Sequence, residues 1–248
     1  MKHTFLLLIL ISGLVGFSSC KDDETSYGTL TINVKAEYDG QPLKTFSTLS
    51  FDNGEQIQFS LISLLMSDID LMKQTSPTRI SDIELVNMSF DNETDAVKGY
   101  TIQSMKIPTG TYSGLRFGIG VKPDLNSMKP ADFTADNPLS NASYYWIPWS
   151  SYIFSKTEGL LDSLGNSTFD LGFALHTGSD ALYVELEAED LTITVEDQKE
   201  ISLDLIVDYK QLLSGIDIKK NPLNHNPEDL ATITALVNNY ATAIQLRQ

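Results

Sequence analysis

The sequence predicts an all-β protein, an immunoglobulin-like β-sandwich of about ten mostly antiparallel strands with a C-terminal amphipathic helix. Three observations carry this expectation. Apolar residues recur at every second position in many short runs. Clusters of Gly, Asn, Asp and Pro separate those runs. The period changes from two to three-and-four only near the end of the chain.

The elements follow in order. Leu30, Ile32, Val34, Ala36 and Tyr38 alternate with Thr31, Asn33, Lys35 and Glu37, the pattern of a half-buried strand. Asp39-Gly40 turns the chain, and Asp52-Asn53-Gly54 turns it again before Ile57 and Phe59. The run Leu61 to Met66, apolar but for Ser63, breaks the alternation, so periodicity leaves a buried strand and a helical turn both open. If a strand continues, Asp68 and Asp70 share a face, as a cation pair or as solvated surface. Ile80 to Val86 reads as strand, and residues 91–95 as an acidic loop without calcium-loop spacing. Ser113 to Val121 is a strong strand whose Gly118 and Gly120 share one face, which points to a bulge or to close approach by another segment. Residues 122–143 read as a long loop. A hairpin follows: Tyr152 to Thr157 goes out, Phe169 to Leu175 comes back, and His176 stands at its end. Strands near residues 182–188, 191–195 and 201–207 come next, then a short helical segment from Tyr209 to Leu213. Asn226-Pro227-Glu228-Asp229 is a helix start, with Leu230, Ile233, Leu236, Val237, Tyr240 and Ile244 forming the buried stripe of a helix of about five turns.

Composition narrows the function. The formal net charge is −16, which repels nucleic acid and gives no electrostatic reason to bind anionic lipid. Residues 1–19 read as a secretory leader: a polar start, an apolar core too short to span a membrane, then small residues. Phe17-Ser18-Ser19-Cys20 resembles a bacterial lipobox, with Phe17 where leucine is usual, so Cys20 is the expected site of lipidation. It is the only cysteine, and no internal disulfide is possible. Residues 20–28 read as a linker, and Lys21-Asp22-Asp23-Glu24 resembles the charged tags that carry lipoproteins to the cell surface in some Gram-negative bacteria. The expected place is the outer membrane, through a lipid anchor, on its surface or periplasmic face.

One stretch concentrates the candidate chemistry. Tyr144-Tyr145-Trp146-Ile147-Pro148-Trp149 holds both tryptophans of the chain, and Phe173-Ala174-Leu175-His176 follows in the partner strand. His176 and His225 are the two imidazoles left once the leader is removed. Imidazoles suit copper, and two or three ligands suffice for copper(I). Trp146, Trp149 and Tyr145 equally suit core packing or a ledge on which sugar rings stack.

Several blocks together resemble a known family. They are Phe51-Asp52-Asn53-Gly54, the run Ile107 to Gly120, Trp146 to Gly159, Phe173 to Gly178, and Val207-Asp208-Tyr209 with the last helix. In this order they resemble the MbnP-like domain, named for a methanobactin-associated copper-binding protein, over residues 29–248. The resemblance implies a periplasmic or surface β-sandwich that holds copper through histidines and a tryptophan oxidised to kynurenine. It also implies a dihaem, peroxidase-like partner that makes the modification. On that pattern Trp146 and His176 are site residues, with His225 as the remaining imidazole. Where the copper-binding members place a second histidine, two residues after the tryptophan, this chain has Pro148, which cannot ligate.

An enzyme is not expected. The sequence has no Gly-x-Ser-x-Gly elbow, no His-Glu-x-x-His, no phosphate loop and no redox cysteine pair. Glu158 is the candidate for any hydrolytic carboxylate, and a polar strand end is its plainer reading. The alternative to copper is a surface lipoprotein that holds a glycan or a protein through exposed aromatics.

Overall fold

A computed structural model describes residues 25–73, 76–188, 191–224 and 230–248. The leader, Cys20 and His225 lie outside the described residues.

The early strands are β1 (Tyr27–Tyr38), β2 (Gln41–Pro42), β3 (Leu49–Ser50), β4 (Gln56–Met72), β5 (Thr78–Asn87), β6 (Tyr100–Pro108), β7 (Gly110–Tyr112) and β8 (Gly114–Ile119). The aromatic stretch opens with β9 (Tyr145–Trp146) and leads into β10 (Ser151–Asp162) and β11 (Leu171–Gly178). The chain closes through β12 (Val184–Ala188), β13 (Ile193–Val195), β14 (Glu200–Asp208), β15 (Leu223–Asn224) and β16 (Ile244–Arg247). Among the described residues four α-helices interrupt them: α1 (Glu93–Lys98), α2 (Pro123–Asn126), α3 (Tyr209–Leu212) and α4 (Leu230–Ala243).

Among the described residues the strands form a five-stranded sheet, a nine-stranded sheet and a two-stranded ribbon. In the smaller large sheet β16, β14, β1 and β2 are neighbours, with β6 also on β1, and β1 runs parallel to β14. In the larger, the order is β12-β8-β4-β10-β11-β15, and β3, β5 and β9 add to its flanks. The all-β expectation holds.

β1 shows how the pattern becomes packing. Its even positions from Gly28 to Tyr38 are buried and the odd ones face outward. Leu30, Ile32 and Val34 meet Leu203, Leu205, Phe59, Phe117, Leu175 and Phe173 in one continuous core between the sheets. Tyr209 and Leu212 of α3 and Leu236, Tyr240 and Ala243 of α4 close that core. Fully burying each such side chain stabilises by roughly 1.5–3 kcal/mol.

The undecided run Leu61 to Met66 is strand, part of the 17-residue β4. β10 pairs along its first half, and β5 and β8 along its second. A bulge lies in its second half, where Asp68 takes a left-handed φ of 48°. Asp68 and Asp70 are neither solvated nor a cation site. Asp70 accepts from Arg79 Nε at 2.6 Å and Arg116 Nη2 at 2.9 Å, and Asp68 pairs with Arg79 and Lys122.

The predicted glycine face is a surface of close approach. A Cβ on Gly118 would meet the Tyr183 hydroxyl at 2.3 Å, and one on Gly120 (φ 105°) the Phe154 ring at 2.3 Å.

Four expectations need correction. The first strand starts at Tyr27, inside the expected linker, because Tyr27 and Gly28 already pair with Pro108 and Ile107. The acidic loop holds α1, capped by Asn92, whose side chain accepts from the Asp95 amide. Residues 122–143 are a chain of short turns, three of them opened by Pro123, Pro130 and Pro138. The last helix stops at Ala243, and Ile244 starts β16 instead of extending the stripe. Ile244 and Leu246 are half-buried while Gln245 and Arg247 are exposed, so the local period is two and the edge of β14 takes the segment.

Candidate functional site

The site stands on the face of the nine-stranded sheet away from the main core. Residues of β10 alternate: Leu161 joins the main core, while Phe154 packs on the other side with Leu65, Val121, Leu139, Tyr144 and Tyr152. This second cluster is the seat of the 122–150 segment. The Tyr152 hydroxyl donates to the Leu139 carbonyl at 2.8 Å, and Tyr145 and Tyr152 meet edge to face at 5.2 Å. Asn126 of α2 accepts the Tyr152 amide at 2.8 Å and donates to Asp180 at 2.7 Å. The long segment between β8 and β9 is therefore bound down by specific buried contacts.

Beside this cluster lies a polar group of side chains. Lys156 of β10 stands opposite His176 of β11, and Glu158 opposite Ala174. Glu158 and His176 are diagonal neighbours on one face, and Glu158 Oε1 lies 2.8 Å from His176 Nε2. His176 is 9% exposed. Lys156 Nζ donates to the Ser143 carbonyl at 2.9 Å and sits 4.1 Å from the centre of the Tyr144 ring. The Tyr144 hydroxyl donates to Ser63 Oγ at 2.7 Å in a buried contact. Burial holds the Lys156 ammonium below the ordinary lysine range, with Glu158 acting in the opposite direction. Burial pushes the Tyr144 phenol up, against the Ser63 hydrogen bond.

The tryptophans take different places. Trp146 lies in β9, opposite Ser151, and is 37% exposed. Ile147-Pro148-Trp149 then makes one 3-10 turn, released by Ser150 at φ 49°. Trp149 folds back: a Cβ on Gly178 would lie 2.6 Å from its ring. It packs with Leu182, Ile233, Val237 and Val184. Its indole Nε1 is buried, with no hydrogen-bond partner among the described residues. Ser151 Oγ accepts the Ser179 amide at 2.8 Å, which fixes the end of β11 against the start of β10.

Thus Tyr145, Trp146 and Trp149 gather at the end of the β10–β11 hairpin, and His176 stands two residues before the Gly178 on which Trp149 rests. His225 lies outside the described residues. The last residue described before it, Asn224, pairs in parallel register with Leu175, next to His176. Lys156, Ser63 and Tyr144 were not singled out by sequence reasoning. The Lys156 and Glu158 alternation in β10 was the only signal available for the first, and nothing local pointed to Ser63, 81 residues from Tyr144.

The donor set admits copper only in part from what is described. Among the described residues no group of three His, Cys, Asp or Glu side chains could hold a metal ion. His176 supplies one imidazole with a carboxylate behind it, the arrangement that orients metal-binding histidines. A second imidazole is needed, and the chain has it one residue past Asn224.

Fold and site define a two-sheet β protein with an aromatic rim beside a carboxylate-bound histidine. The chain belongs to the MbnP family, which it matches over residues 27–228. No curated protein and no solved structure matches it.

Proposed function

We propose that the protein is a lipid-anchored envelope protein that binds copper(I) through His176 and His225, with Trp146 beside them, and that it binds rather than catalyses. The observation that carries this reading is the parallel pairing of Asn224 with Leu175, the residue before His176. Both imidazoles suit copper, and His176, 9% exposed, is shielded from water. When bound, the metal supplies a redox centre, and the chain's own part is to hold two nitrogens in place and shield them. Trp146 is exposed enough to meet a redox partner of the dihaem peroxidase type.

The test is copper(I) affinity by competition with a chromogenic chelator. His176→Ala is expected to lose more than the roughly 10–100-fold that loss of an outer partner costs. Unchanged affinity would end the copper reading. Digestion of protein from its native source reads the second part: the Trp146 peptide is expected to depart in mass from plain tryptophan. For the anchor, the mature chain is expected to begin at Cys20 with a diacylglycerol, placing it on the outer membrane; an unlipidated start elsewhere would refute it.

A second reading rests on one specific feature. Trp146 and Ile147, 37% and 78% exposed, form an apolar step at the rim. A sugar ring or a protein side chain fits such a step. Oligosaccharide that quenches tryptophan fluorescence, together with no copper(I) binding, would favour it.

A further inference from the structure

We propose that β12, at the free edge of the nine-stranded sheet, takes up an extended segment of a partner protein as a further strand, and that this segment alternates apolar with basic side chains. The proposal is independent of the copper reading. Among the described residues β12 ends its sheet, with β8 as its one strand partner. In the same way β16 ends the five-stranded sheet beside β14, and the two edges do not pair with each other. Between them lies a groove of about 440 Å³. Phe117 and Tyr240, both fully buried, form its floor. Leu186 and Ala188 of β12 and Ile244 and Leu246 of β16, all half-buried, form its walls.

The edge is suited to pairing. β12 runs against β8 in unbroken register from Val184 to Ala188, without a bulge, and it holds neither the proline nor the lysine that commonly blunt a free edge. An added strand lies about 4.8 Å from β12. Its inward side chains fall into the apolar groove, and its backbone meets the groups that β12 turns away from β8. Its outward side chains fall beside Glu185 and Glu187, which are both exposed. Arg116, opposite Glu187 in register, bonds Asp70 and feels both glutamates through charge alone. Lys122 bonds Asp68 and feels Glu185 in the same way. The two glutamates therefore select a strand that brings lysine or arginine to the positions across from them. They also disfavour a second copy of this chain, since β12 against β12 sets glutamate against glutamate on a protein of net charge −16. The β16 edge suits a basic partner less, because it carries Arg247, which bonds Glu37 and Gln245.

The probe is a short capped peptide that alternates valine with lysine, titrated into the full chain and followed by fluorescence anisotropy. Binding is expected, with amide hydrogen exchange slowed in β12 and affinity falling as salt rises. The same peptide N-methylated at alternate residues keeps its charge but cannot pair through its backbone, and it is expected not to bind. Changing both Glu185→Lys and Glu187→Lys, at two exposed positions, is expected to weaken the valine–lysine peptide about tenfold or more. The double variant is also expected to accept a valine–glutamate peptide in its place. Equal binding of the plain and N-methylated peptides would overturn the proposal, because the contact would then be surface charge alone. No binding of the plain peptide, wild-type affinity in the double variant, or slowed exchange in β16 in place of β12 would overturn it as well. So would a concentration-dependent dimer of the chain that protects the β12 amides without any peptide. The peptide comparisons need no variant, so they test the proposal whatever the double variant does to folding.

Discussion

Two patches of charge stand on the outer side of the same large sheet, and they are put together differently. Around the β4 bulge every carboxylate oxygen of Asp68 and Asp70 faces a cation: Arg79 takes one oxygen of each, Arg116 the other of Asp70 and Lys122 the other of Asp68. On β10 and β11 the opposite charges Lys156 and Glu158 each have another direct partner, and Glu158 acts on Lys156 only through its charge. Lys156 holds a backbone carbonyl and an aromatic ring, and Glu158 holds an imidazole. The first patch is saturated by its own residues, so it clamps a bulge and has no valence left for a ligand. The second spends its charges on positioning a histidine and an aromatic segment. Charge density alone does not mark a site; what the charges are bonded to does.

The comparison can be broken most strongly at Asp70. Asp70→Ala leaves two guanidiniums without their shared partner, and both keep some solvent, so a loss of about 2–3 kcal/mol is expected rather than the cost of a fully buried pair. Chemical denaturation reads it, and copper(I) affinity is expected to stay at the wild-type level. A parallel fall in affinity would join the two patches.

Gly178→Ala strikes the other patch. The new Cβ meets the Trp149 ring at 2.6 Å and the Tyr152 carbonyl at 2.7 Å, so ring and strand must shift, at about 2 kcal/mol. Tryptophan emission is expected to move to the red as Trp149 gains water; an unmoved spectrum would show that the ring does not rest there.

Tyr144→Phe is milder. It removes the buried hydroxyl bond to Ser63, worth about 1 kcal/mol, and leaves the ring under Lys156. Thermal melting reads the loss. The double variant with Ser63→Ala is expected to cost little more than either change alone, since both delete one contact.

The smallest effect is in pH. Burial would raise the Asp68 carboxyl, but Lys122 and Arg79 outweigh it and hold the group below the usual aspartate range. Its folded value is below its unfolded one, so the stability it contributes is full above about pH 4 and fades as pH falls through the folded value. Melting temperature is expected to drop below about pH 4, and less steeply in Lys122→Ala. Identical acid limbs would remove Asp68 from the clamp.

Much of this could be seen in the chain beforehand, for reasons that differ by element. β1 alternates cleanly because one face meets the core and the other meets water, so its pattern and its burial are the same fact. Gly118 and Gly120 announced a close approach, because only a missing Cβ admits Tyr183 and Phe154. The run Leu61 to Met66 in β4, apolar but for Ser63, fixes no period, since a strand covered on both faces carries none. Ile244 misled for the opposite reason. It sits in phase with the helix stripe, and the free edge of β14 outweighed local propensity. Within the site, Trp146, Trp149 and His176 could be read from the sequence, as residue types that carry chemistry near a hairpin. The Tyr144–Ser63 bond and the Lys156 hold on Ser143 could not, because they join residues far apart in the chain.

By itself the sequence determined the strand-rich architecture, its turns and the concentration of both indoles in one short stretch, because period, glycine and side-chain type are local properties. Only the tertiary structure decided which charges neutralise one another, which way Trp149 folds, and that Glu158 lies against His176. Those are choices among long-range partners, and they follow from sheet register and bulges that no single stretch of chain encodes.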